Sequence, residues 1–552
     1  MAQPAAQTPN SSTSNGIVRS YDAQGWLLRS VSYHEGLRDG AELLFGAPGA
    51  TLFTLPLSLM AALQLGEITQ DLRWFFLAQE IALAVDALVT IVEPEREYLI
   101  TQIGQSYTIR VVDGVLAVAP GRLLRATQVE QDWVMSRTHY QGGRLEGERA
   151  IYAPPGEPLF TLAPDFQAAL DGGDIKRLQP AFRQQRYPLA ADALVTQELA
   201  GREWRIMQSE QMFSVLRTGD HFTVYPGRVA RRAIFAAGQL IETADYQAGR
   251  LHGTVTIYGP PGSELFSLDP ALRAALDLGQ IDALAPLFGQ HGHALARDAI
   301  LITVLDGGEW FVDQAGQSYT IQRGADRLAV LRGRVLSRSR YRSGKLDGMT
   351  ALYDEQGWLA QQIGYVDGLL HGALTTYAAG LKQTLVTFEH GKKHGPMIAY
   401  DAQGRPTMIS HYQRDLLDGE LRLFKEGSPQ AVVTYRGGVQ HGRSIAYHPS
   451  GQESLVAQYA NNLLDGESVL YTETGQVAKT SQYREGKLEG TVIEYYPSGT
   501  VRTHATYHDD KLEGIAYLYD DQGRLQEKTH YRNGEPVGKP ERRSWRQTLM
   551  QR

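Results

Sequence analysis

The stretch YREGKLEGTVIEYYPSG, residues 483–499, states a phrase that returns along most of the chain. Its form is Y-x-x-G-x-x-x-G-x-x-x-x-Y-x-x-x-G, and about seven residues lead from the last glycine to the next tyrosine. Related phrases begin 24 residues upstream, at YANNLLDG (459–466), and 24 residues downstream, at YHDDKLEG (507–514). A short, fixed period of this kind is typical of repeat proteins, in which each repeat is one supersecondary unit.

Twelve copies of the phrase are found when the sequence is aligned on the first aromatic residue. The last nine follow one another at intervals of 23 or 24 residues, whereas the first three intervals are 107, 106 and 95 residues. The copies begin at Tyr33, Tyr140, Tyr246, Tyr341, Tyr365, Phe388, Tyr412, Tyr435, Tyr459, Tyr483, Tyr507 and Tyr531.

The residues between the glycines alternate as they do in β-strands. In TVRTHATY (500–507), Val501, Thr503, Ala505 and Tyr507 share one face, a period of two that indicates a strand. The glycines and the DDQG, YPSG and DAQG phrases supply turns. One such unit cannot bury its aromatic face alone, so neighbouring repeats must supply the core. The sequence therefore predicts a mostly β fold, an elongated antiparallel β-meander or solenoid with the tyrosines in its core.

We predict a structural role, in the core or at the turns, for the first tyrosine and the second glycine of the later copies. These residues are Tyr341, Tyr365, Tyr412, Tyr435, Tyr459, Tyr483, Tyr507, Tyr531, Gly348, Gly372, Gly419, Gly466, Gly490 and Gly514.

The long intervals near the start of the chain contain a second, larger repeat. LFTLPLSLMAALQLGEI (52–68) corresponds to LFTLAPDFQAALDGGDI (159–175) and to LFSLDPALRAALDLGQI (265–281), and QSYTIRVVDGVLAVAPGRL (105–123) returns as QSYTIQRGADRLAVLRGRV (317–335). Helical spacing followed by strand patterns predicts three homologous α+β inserts of about 80 residues. Their predicted bounds are about 50–137, 157–243 and 263–338.

Four segments follow from these patterns. Residues 1–16 are polar and are predicted to be a disordered leader, residues 17–340 to be three interrupted repeats, and residues 341–538 to be continuous repeats. The basic tail, 539–552, carries Trp545, Leu549 and Met550 at helical spacing. It is predicted either to cap the open end of the sheet or to contact an acidic lipid surface or partner.

Composition narrows the class of protein. The chain has 552 residues, no cysteine, 42% hydrophobic residues and a formal charge of −7, so neither disulfide or thiol chemistry nor a general affinity for nucleic acid is expected. The most apolar segment, 74–92, contains Glu80 and Asp86, which argues against a membrane span. We expect a soluble, cytoplasmic protein.

No motif of nucleotide-binding proteins, serine hydrolases or zinc peptidases is present, so no catalytic, cofactor or metal residue is predicted. The position before the second glycine holds acidic residues and histidines, but equivalent positions in neighbouring repeats lie roughly 10 Å apart, too far for one metal ion. We expect a polar turn position there. Its residues are Asp39, Glu146, His252, Asp347, His371, His394, Asp418, His441, Asp465, Glu489 and Glu513.

The phrase resembles the MORN repeat, and more closely its bacterial variant, which occurs in proteins labelled YwqK-type antitoxins. The resemblance covers 341–538 continuously, together with the shorter segments 21–49, 140–156 and 246–262. It implies a bacterial protein without enzymatic activity that neutralises a cognate toxin or effector by tight binding. The alternative that it implies is a scaffold or adaptor associated peripherally with membrane lipid or with a secretion or envelope assembly.

Partner contacts are expected in the inserts, because these depart from the generic repeat. Tryptophan is enriched where binding energy is concentrated, so Trp133, Trp204 and Trp310 are the candidate partner-binding residues. Each of them also suits an ordinary packing role.

Overall fold

The predicted turns set the length of the strands. In the stretch 477–495, Val477–Arg484 and Lys487–Tyr495 are antiparallel strands, with Tyr483 opposite Leu488. Glu485 and Gly486 form the turn between them with positive φ values of 48° and 83°. Only glycine adopts this left-handed conformation without steric cost, which is why the first glycine of the phrase recurs.

The structure is a computed structural model and describes residues 15–84, 87–102, 105–209, 211–305, 308–314, 316–324 and 327–542. It divides into two units, residues 1–360 and 361–552. The predicted mostly β fold, an antiparallel meander with few helices, is confirmed.

The first unit contains 26 strands and six short α-helices among its described residues. In chain order they are β1 (Gly16–Tyr21), β2 (Leu27–His34), β3 (Leu37–Phe45), β4 (Phe53–Leu55), α1 (Met60–Gln64), α2 (Gln70–Leu77), β5 (Leu88–Glu93), β6 (Glu97–Thr101), β7 (Ser106–Val112), β8 (Val115–Pro120), β9 (Leu123–Glu130), β10 (Trp133–Gln141), β11 (Arg144–Tyr152), β12 (Phe160–Leu162), α3 (Gln167–Gly172), α4 (Ile175–Gln184), β13 (Leu194–Leu199), β14 (Glu203–Met207), β15 (Met212–Thr218), β16 (His221–Pro226), β17 (Val229–Ala236), β18 (Gln239–Gln247), β19 (Arg250–Tyr258), β20 (Glu264–Leu268), α5 (Arg273–Asp277), α6 (Ala285–Gln290), β21 (Ile300–Leu305), β22 (Glu309–Asp313), β23 (Tyr319–Arg323), β24 (Leu328–Arg332), β25 (Val335–Arg342) and β26 (Lys345–Tyr353). The 3₁₀ turns are Leu57–Leu59, Pro164–Phe166, Pro270–Leu272 and Ile281–Ala283.

Eleven of these strands form the main sheet of the first unit. They pair in the antiparallel order β1-β2-β3-β9-β10-β11-β17-β18-β19-β25-β26. The remaining strands form three separate five-stranded sheets, ordered β4-β8-β7-β6-β5, β12-β16-β15-β14-β13 and β20-β24-β23-β22-β21. Each small sheet packs with its two helices around its own hydrophobic core, and we call each such body a module.

Each module replaces one hairpin turn of the main sheet. Tyr258 pairs with Val335 across the third module, and Tyr152 pairs with Val229 across the second. The modules therefore end earlier than the sequence predicts, near residues 120, 226 and 332. Residues 123–137, 229–243 and 335–338, assigned to the inserts above, are strands of the main sheet. They lack the tyrosine and glycine phrase, which is why the sequence pattern did not separate them from the inserts.

Successive modules lie at opposite ends of the main-sheet strands. Three strands, β9–β11 and then β17–β19, separate one module from the next. Because neighbouring strands are antiparallel, an odd number of them carries the chain from one end of the strands to the other. The first and third modules therefore share one end, and the second lies at the opposite end.

The second and third modules also pack on opposite faces of the main sheet. The second packs on the face that carries Arg137 and Ala150, which lie opposite each other in register. The third packs beside Thr243, whose register partner is Ala233. Ala150 pairs with Arg232, and directly opposite residues share a face. Ala233 is the next residue after Arg232, so Ala233 and Thr243 lie on the other face of the sheet from Ala150 and Arg137.

The second unit is a continuous antiparallel meander, and no helix occurs among its described residues, 361–542. Its strands are β27 (Leu359–Val366), β28 (Leu369–Ala378), β29 (Leu381–Glu389), β30 (Lys392–Tyr400), β31 (Pro406–Gln413), β32 (Leu416–Leu417), β33 (Gly419–Lys425), β34 (Ser428–Arg436), β35 (Val439–Tyr447), β36 (Glu453–Ala460), β37 (Leu463–Tyr471), β38 (Val477–Arg484), β39 (Lys487–Tyr495), β40 (Val501–His508), β41 (Lys511–Leu512), β42 (Gly514–Tyr519), β43 (Leu525–Arg532), β44 (Glu535–Pro536) and β45 (Glu541–Arg542).

The repeat tyrosines of the second unit are not in a closed core, and for these copies the prediction is wrong. Tyr459 and Tyr483, like the other first aromatics of the phrase in that unit, are half-buried, whereas Tyr140 and Tyr246 of the first unit pack against buried clusters. The reason is that the second unit contains a single layer of strands among residues 361–542, so its side chains contact neighbours on the same face without a facing layer. Side chains buried as deeply as a usual core are concentrated in the modules, as with Phe76 and Phe182.

Two predicted segments lie largely outside the described residues. Of the predicted leader, 1–16, the structure describes only Asn15 and Gly16, and Asn15 Oδ1 accepts a hydrogen bond from the backbone N–H of Glu35 at 2.7 Å. Of the tail, 539–552, it describes residues 539–542, and β45 pairs there with β43. The predicted helix with Trp545, Leu549 and Met550 lies outside the described residues.

We predict that Tyr483→Ala lowers the free energy of unfolding by only about 1–2 kcal/mol, because a half-buried side chain loses part of the transfer energy. Phe182→Ala, in a module core, should cost about 3–5 kcal/mol. Chemical denaturation of both variants measures the difference, with Tyr483→Phe as the conservative control. An equal loss in the two variants would contradict the open-sheet description.

Candidate functional site

The polar position before the second glycine caps turns. Asp418, Asp465, Glu489 and Glu513 each accept a hydrogen bond from a backbone N–H of the turn about 20 residues later, at 2.7 to 3.2 Å. The bond from Asp509 N–H is the main cause that holds the pKa of Glu489 below its usual value. The expected local hydrogen bonding is thus confirmed for these four residues.

The histidines of 371–411 form one close pair. The rings of His371 and His390 are 5.3 Å apart in an edge-to-face arrangement, and His394 Nδ1 lies 3.5 Å from a Glu389 oxygen. Among the described residues, no group of three or more His, Asp or Glu side chains has the geometry to hold a metal ion.

A buried arginine fastens each module to the main sheet. Arg334 donates two hydrogen bonds to Glu309, both at 2.8 Å, and one to the carbonyl of Leu240 at 2.7 Å. The equivalent pairs are Arg122 with Glu97 and Arg228 with Glu203. In the third clamp both carboxylate oxygens accept and the remaining donor reaches backbone carbonyls, so the pair is satisfied despite burial. We call these three pairs the module clamps.

The clamp arginine also stacks on an aromatic ring of the main sheet. Its guanidinium carbon lies 4.8 Å from the ring centre of Phe45 in the first clamp and 4.9 Å from that of Tyr258 in the third. These aromatics end the strands that lead into the modules. The clamp therefore fixes the module at the strand end where the turn would otherwise lie.

Glycines allow the modules to touch a neighbouring turn. The amide of Met212 donates to the carbonyl of Gly249 at 2.6 Å, and Gly227 N–H donates to Met212 at 2.9 Å. A Cβ at Gly249 would lie 2.1 Å from Met212 O. The backbone itself fills the space at this contact, so no larger residue fits.

Two of the three predicted partner-binding tryptophans are core residues, which corrects that prediction. Trp204 and Trp310 are 0% exposed, and their indole N–H groups donate to Asp171 and Asp277 at 3.0 and 3.2 Å. Trp133 is half-buried, and the guanidinium carbon of Arg228 lies 5.2 Å from the centre of the Trp133 ring. Composition alone does not distinguish a packed tryptophan from an exposed one.

The first module replaces this tryptophan and aspartate together. Tyr98 occupies the position of Trp204, and Gln64 occupies the position of Asp171 in the alignment of 52–68 with 159–175. The Tyr98 hydroxyl is buried and has no hydrogen-bond partner among the described residues. The three modules thus share a frame while their interior contacts differ.

The middle module has a charged junction that the sequence analysis missed. Glu198 is buried and accepts from Arg137 and from the Tyr152 hydroxyl, both at 2.5 Å, while Arg205 Nε lies 3.1 Å from its other oxygen. Arg205 also donates to Glu148 at 2.5 Å. Burial and the charge of Glu198 raise the pKa of Tyr152 well above its ordinary value, so the hydroxyl stays protonated and donates.

The equivalent positions are apolar in the other modules. Val92 and Val304 replace Glu198, and Leu99 and Phe311 replace Arg205. Aligning the three inserts would have shown this difference, because 106 residues separate equivalent positions in this part of the modules. The middle junction contains acid, base and hydroxyl groups that contact one another and are buried, so the arrangement holds the module against the main sheet.

We predict that removing one member of a module clamp is costly. Arg334→Met or Glu309→Met should lower the free energy of unfolding by about 3–5 kcal/mol, because each leaves a buried charge unpaired. The double variant should cost less than the sum of the two. Denaturation of the three variants tests this. The matched control is the exposed pair Arg422 and Glu420, whose loss should cost less than about 1 kcal/mol. If the losses of stability in the two single clamp variants simply add in the double variant, the clamp assignment is contradicted.

We predict that His508 titrates above its ordinary pKa of 6.5, because the hydrogen bond and the charge of Glu489 stabilise the imidazolium. The folded pKa is raised, so the stabilisation is complete below the unfolded value and is lost as the pH rises through the folded value. An NMR titration of His508 measures this, and Glu489→Gln should return the midpoint towards 6.5. A midpoint that the substitution does not move would refute the pairing.

In the described residues, no helix is long and apolar enough to cross a membrane.

No curated protein matches this chain. Among solved structures, the chain is similar to a mutant form of the Photorhabdus luminescens Tc holotoxin pore, with 11% identity and a TM-score of 0.13. That match covers 94% of this chain and 32% of the other, so the chain spans about a third of that length. Residues 488–509 and 512–533 match the family model described as a MORN repeat variant, and this part of the chain is therefore a MORN-variant repeat.

Proposed function

We propose that this protein is a non-enzymatic binding protein that neutralises a cognate bacterial toxin or effector by tight association with it. The assignment to toxin neutralisation rests on the resemblance of the repeats to those of bacterial antitoxin-like proteins. The mode of action, protein binding, is supported by the surface of the second unit.

The observation that carries the proposal is an apolar row across the second unit. Residues that lie opposite each other from strand to strand place Leu385, Ile398, Ile409, Val432, Ile445, Val456, Val469 and Ile493 on one face of the meander. All eight are half-buried. No helix or second layer of residues 361–542 packs over them.

Such a row suits a protein partner. The row is apolar except at Arg422 and Thr480, and exposed apolar patches bordered by polar residues are typical of interaction surfaces. Arg422 lies in the same row, opposite Val432, and half-exposed tyrosines recur on the strands. Tyrosine and arginine are residue types in which binding energy concentrates.

The first test is capture of partners by the tagged full chain from its native cell lysate, with the products of neighbouring genes co-expressed. The expected result is one stoichiometric protein that is toxic when expressed alone and harmless with this chain. Recovery of envelope or assembly components, or cosedimentation with anionic vesicles at low salt, would favour the alternative of a scaffold or membrane adaptor.

We predict that Val469→Asp abolishes capture of that partner, whereas Leu470→Asp does not. The two residues are adjacent on β37 and point to opposite faces, since Val469 pairs with Val456 and Leu470 pairs with Leu455. Leu470 is 44% exposed, so it is a matched apolar control. Circular dichroism verifies folding of both variants. Loss of capture by both, or by neither, would refute this face as the binding surface.

A further inference from the structure

A pocket opens between the main sheet and the third module. Ile151, Phe235, Leu240 and Val304 form its walls, and Arg149 and Arg231 also line it. The cavity volume is about 40 Å³, and the pocket is open to solvent on one side. Ile151 and Arg231 are exposed and stand at the mouth, while Phe235, Leu240 and Val304 are buried.

An equivalent space lies between the main sheet and the second module, and side chains fill it. Glu42, Thr127 and Arg137 lie opposite one another on β3, β9 and β10. They correspond to Arg149, Ala233 and Thr243, which lie opposite one another on β11, β17 and β18. Glu198 corresponds to Val304, since each is the residue skipped in the pairing of the first two long strands of its module.

At the filled place, carboxylates and guanidinium groups are paired. Arg137 pairs with Glu198 at 2.5 Å, and Arg125, the equivalent of Arg231, lies 3.7 Å from Glu42. Burial lowers the pKa of Arg125 and the charge of Arg137 lowers it further, while the charges of Glu42 and Glu198 raise it. Arg29 also pairs with Glu42, at 2.9 Å, and Arg205 lies 3.1 Å from Glu198, so each of the two carboxylates faces more than one guanidinium group.

At the third module both carboxylates are absent. Val304 replaces Glu198 and Arg149 replaces Glu42, while Thr243 in place of Arg137 leaves the space empty. Arg231 has one carboxylate neighbour, the half-buried Asp245 opposite it in register, at 3.8 Å. Within the described part of the chain, no ion pair joins Arg149 to a carboxylate.

We propose that this pocket binds a small organic anion, a carboxylate carried on an apolar body. The carboxylate takes the place that Glu42 and Glu198 occupy at the second module, between Arg149 and Arg231. The apolar body lies against Phe235, Leu240 and Val304. Paired guanidinium groups bind carboxylates through charge-assisted hydrogen bonds, and partial removal from water strengthens them. The inference is independent of the proposed partner surface, which lies in the second unit.

Isothermal titration calorimetry of the full chain with sodium benzoate tests the proposal. We expect saturable one-to-one binding of benzoate, weaker binding of inorganic phosphate, which lacks the apolar body, and none of benzamide, which lacks the charge. Arg149→Gln should weaken benzoate binding at least about tenfold. Arg232→Gln is the matched control, because Arg232 is adjacent to Arg231 but faces the other side of the sheet and pairs with Glu242.

Val304→Glu is the second variant. It restores an internal carboxylate at the position of Glu198 and should abolish benzoate binding while both pocket arginines remain. A thermal melt establishes that each variant is folded before titration. Absence of saturable benzoate binding to the native chain, phosphate binding as tight as benzoate, or unchanged affinity in Arg149→Gln would each overturn the proposal.

Discussion

The pairing of the two residues that flank each turn is the constraint on which the architecture depends. Tyr495 pairs with Val501 across a short turn, and Tyr258 pairs in the same manner with Val335 across an entire module. A hairpin requires only that the two strand ends remain neighbours. The first and last strands of a module pair with each other, as β12 does with β16. The two ends of a module are therefore neighbours, as the two strand ends of a hairpin must be. An insertion of this kind leaves the register of the main sheet unchanged.

Attachment at two ends would still permit a module to swing, and the clamps and close glycine contacts prevent this. Arg228 joins Glu203 in the module to backbone carbonyls of the main sheet, and Met212 and Gly249 exchange contacts at a neighbouring turn. The buried arginine is expensive to desolvate unless its acceptors are all in place. Its position is thereby specific, since a displaced module would leave the guanidinium without partners.

The sequence pattern predicts the parts of this fold that depend on local chemistry. Period-two alternation and glycine turns specify the strands, and the acidic turn position, as at Glu489, follows from its spacing. Burial could not be predicted in the same way, because Tyr483 and Trp204 look alike as aromatic residues in a strand while one lies on a single layer and the other under two helices. The insert bounds were too long for a related reason. The strands after Leu123 and Val229 carry no repeat phrase, and only their pairing partners show which sheet they join.

The three modules share the same strand order and the same clamp, but the residues at their junctions with the main sheet differ. The clamp and the strand register hold each junction, so the residues between clamp and sheet are free to change as a group. In the second module the junction is filled by mutually paired charges around Glu198, and in the third the same region is apolar with two guanidinium groups at its border. A single exchange of Glu198 for valine would leave Arg137 buried and unpaired, at a cost of several kcal/mol. The third module avoids this cost because Thr243 stands where Arg137 would be, so the paired charges are present or absent together.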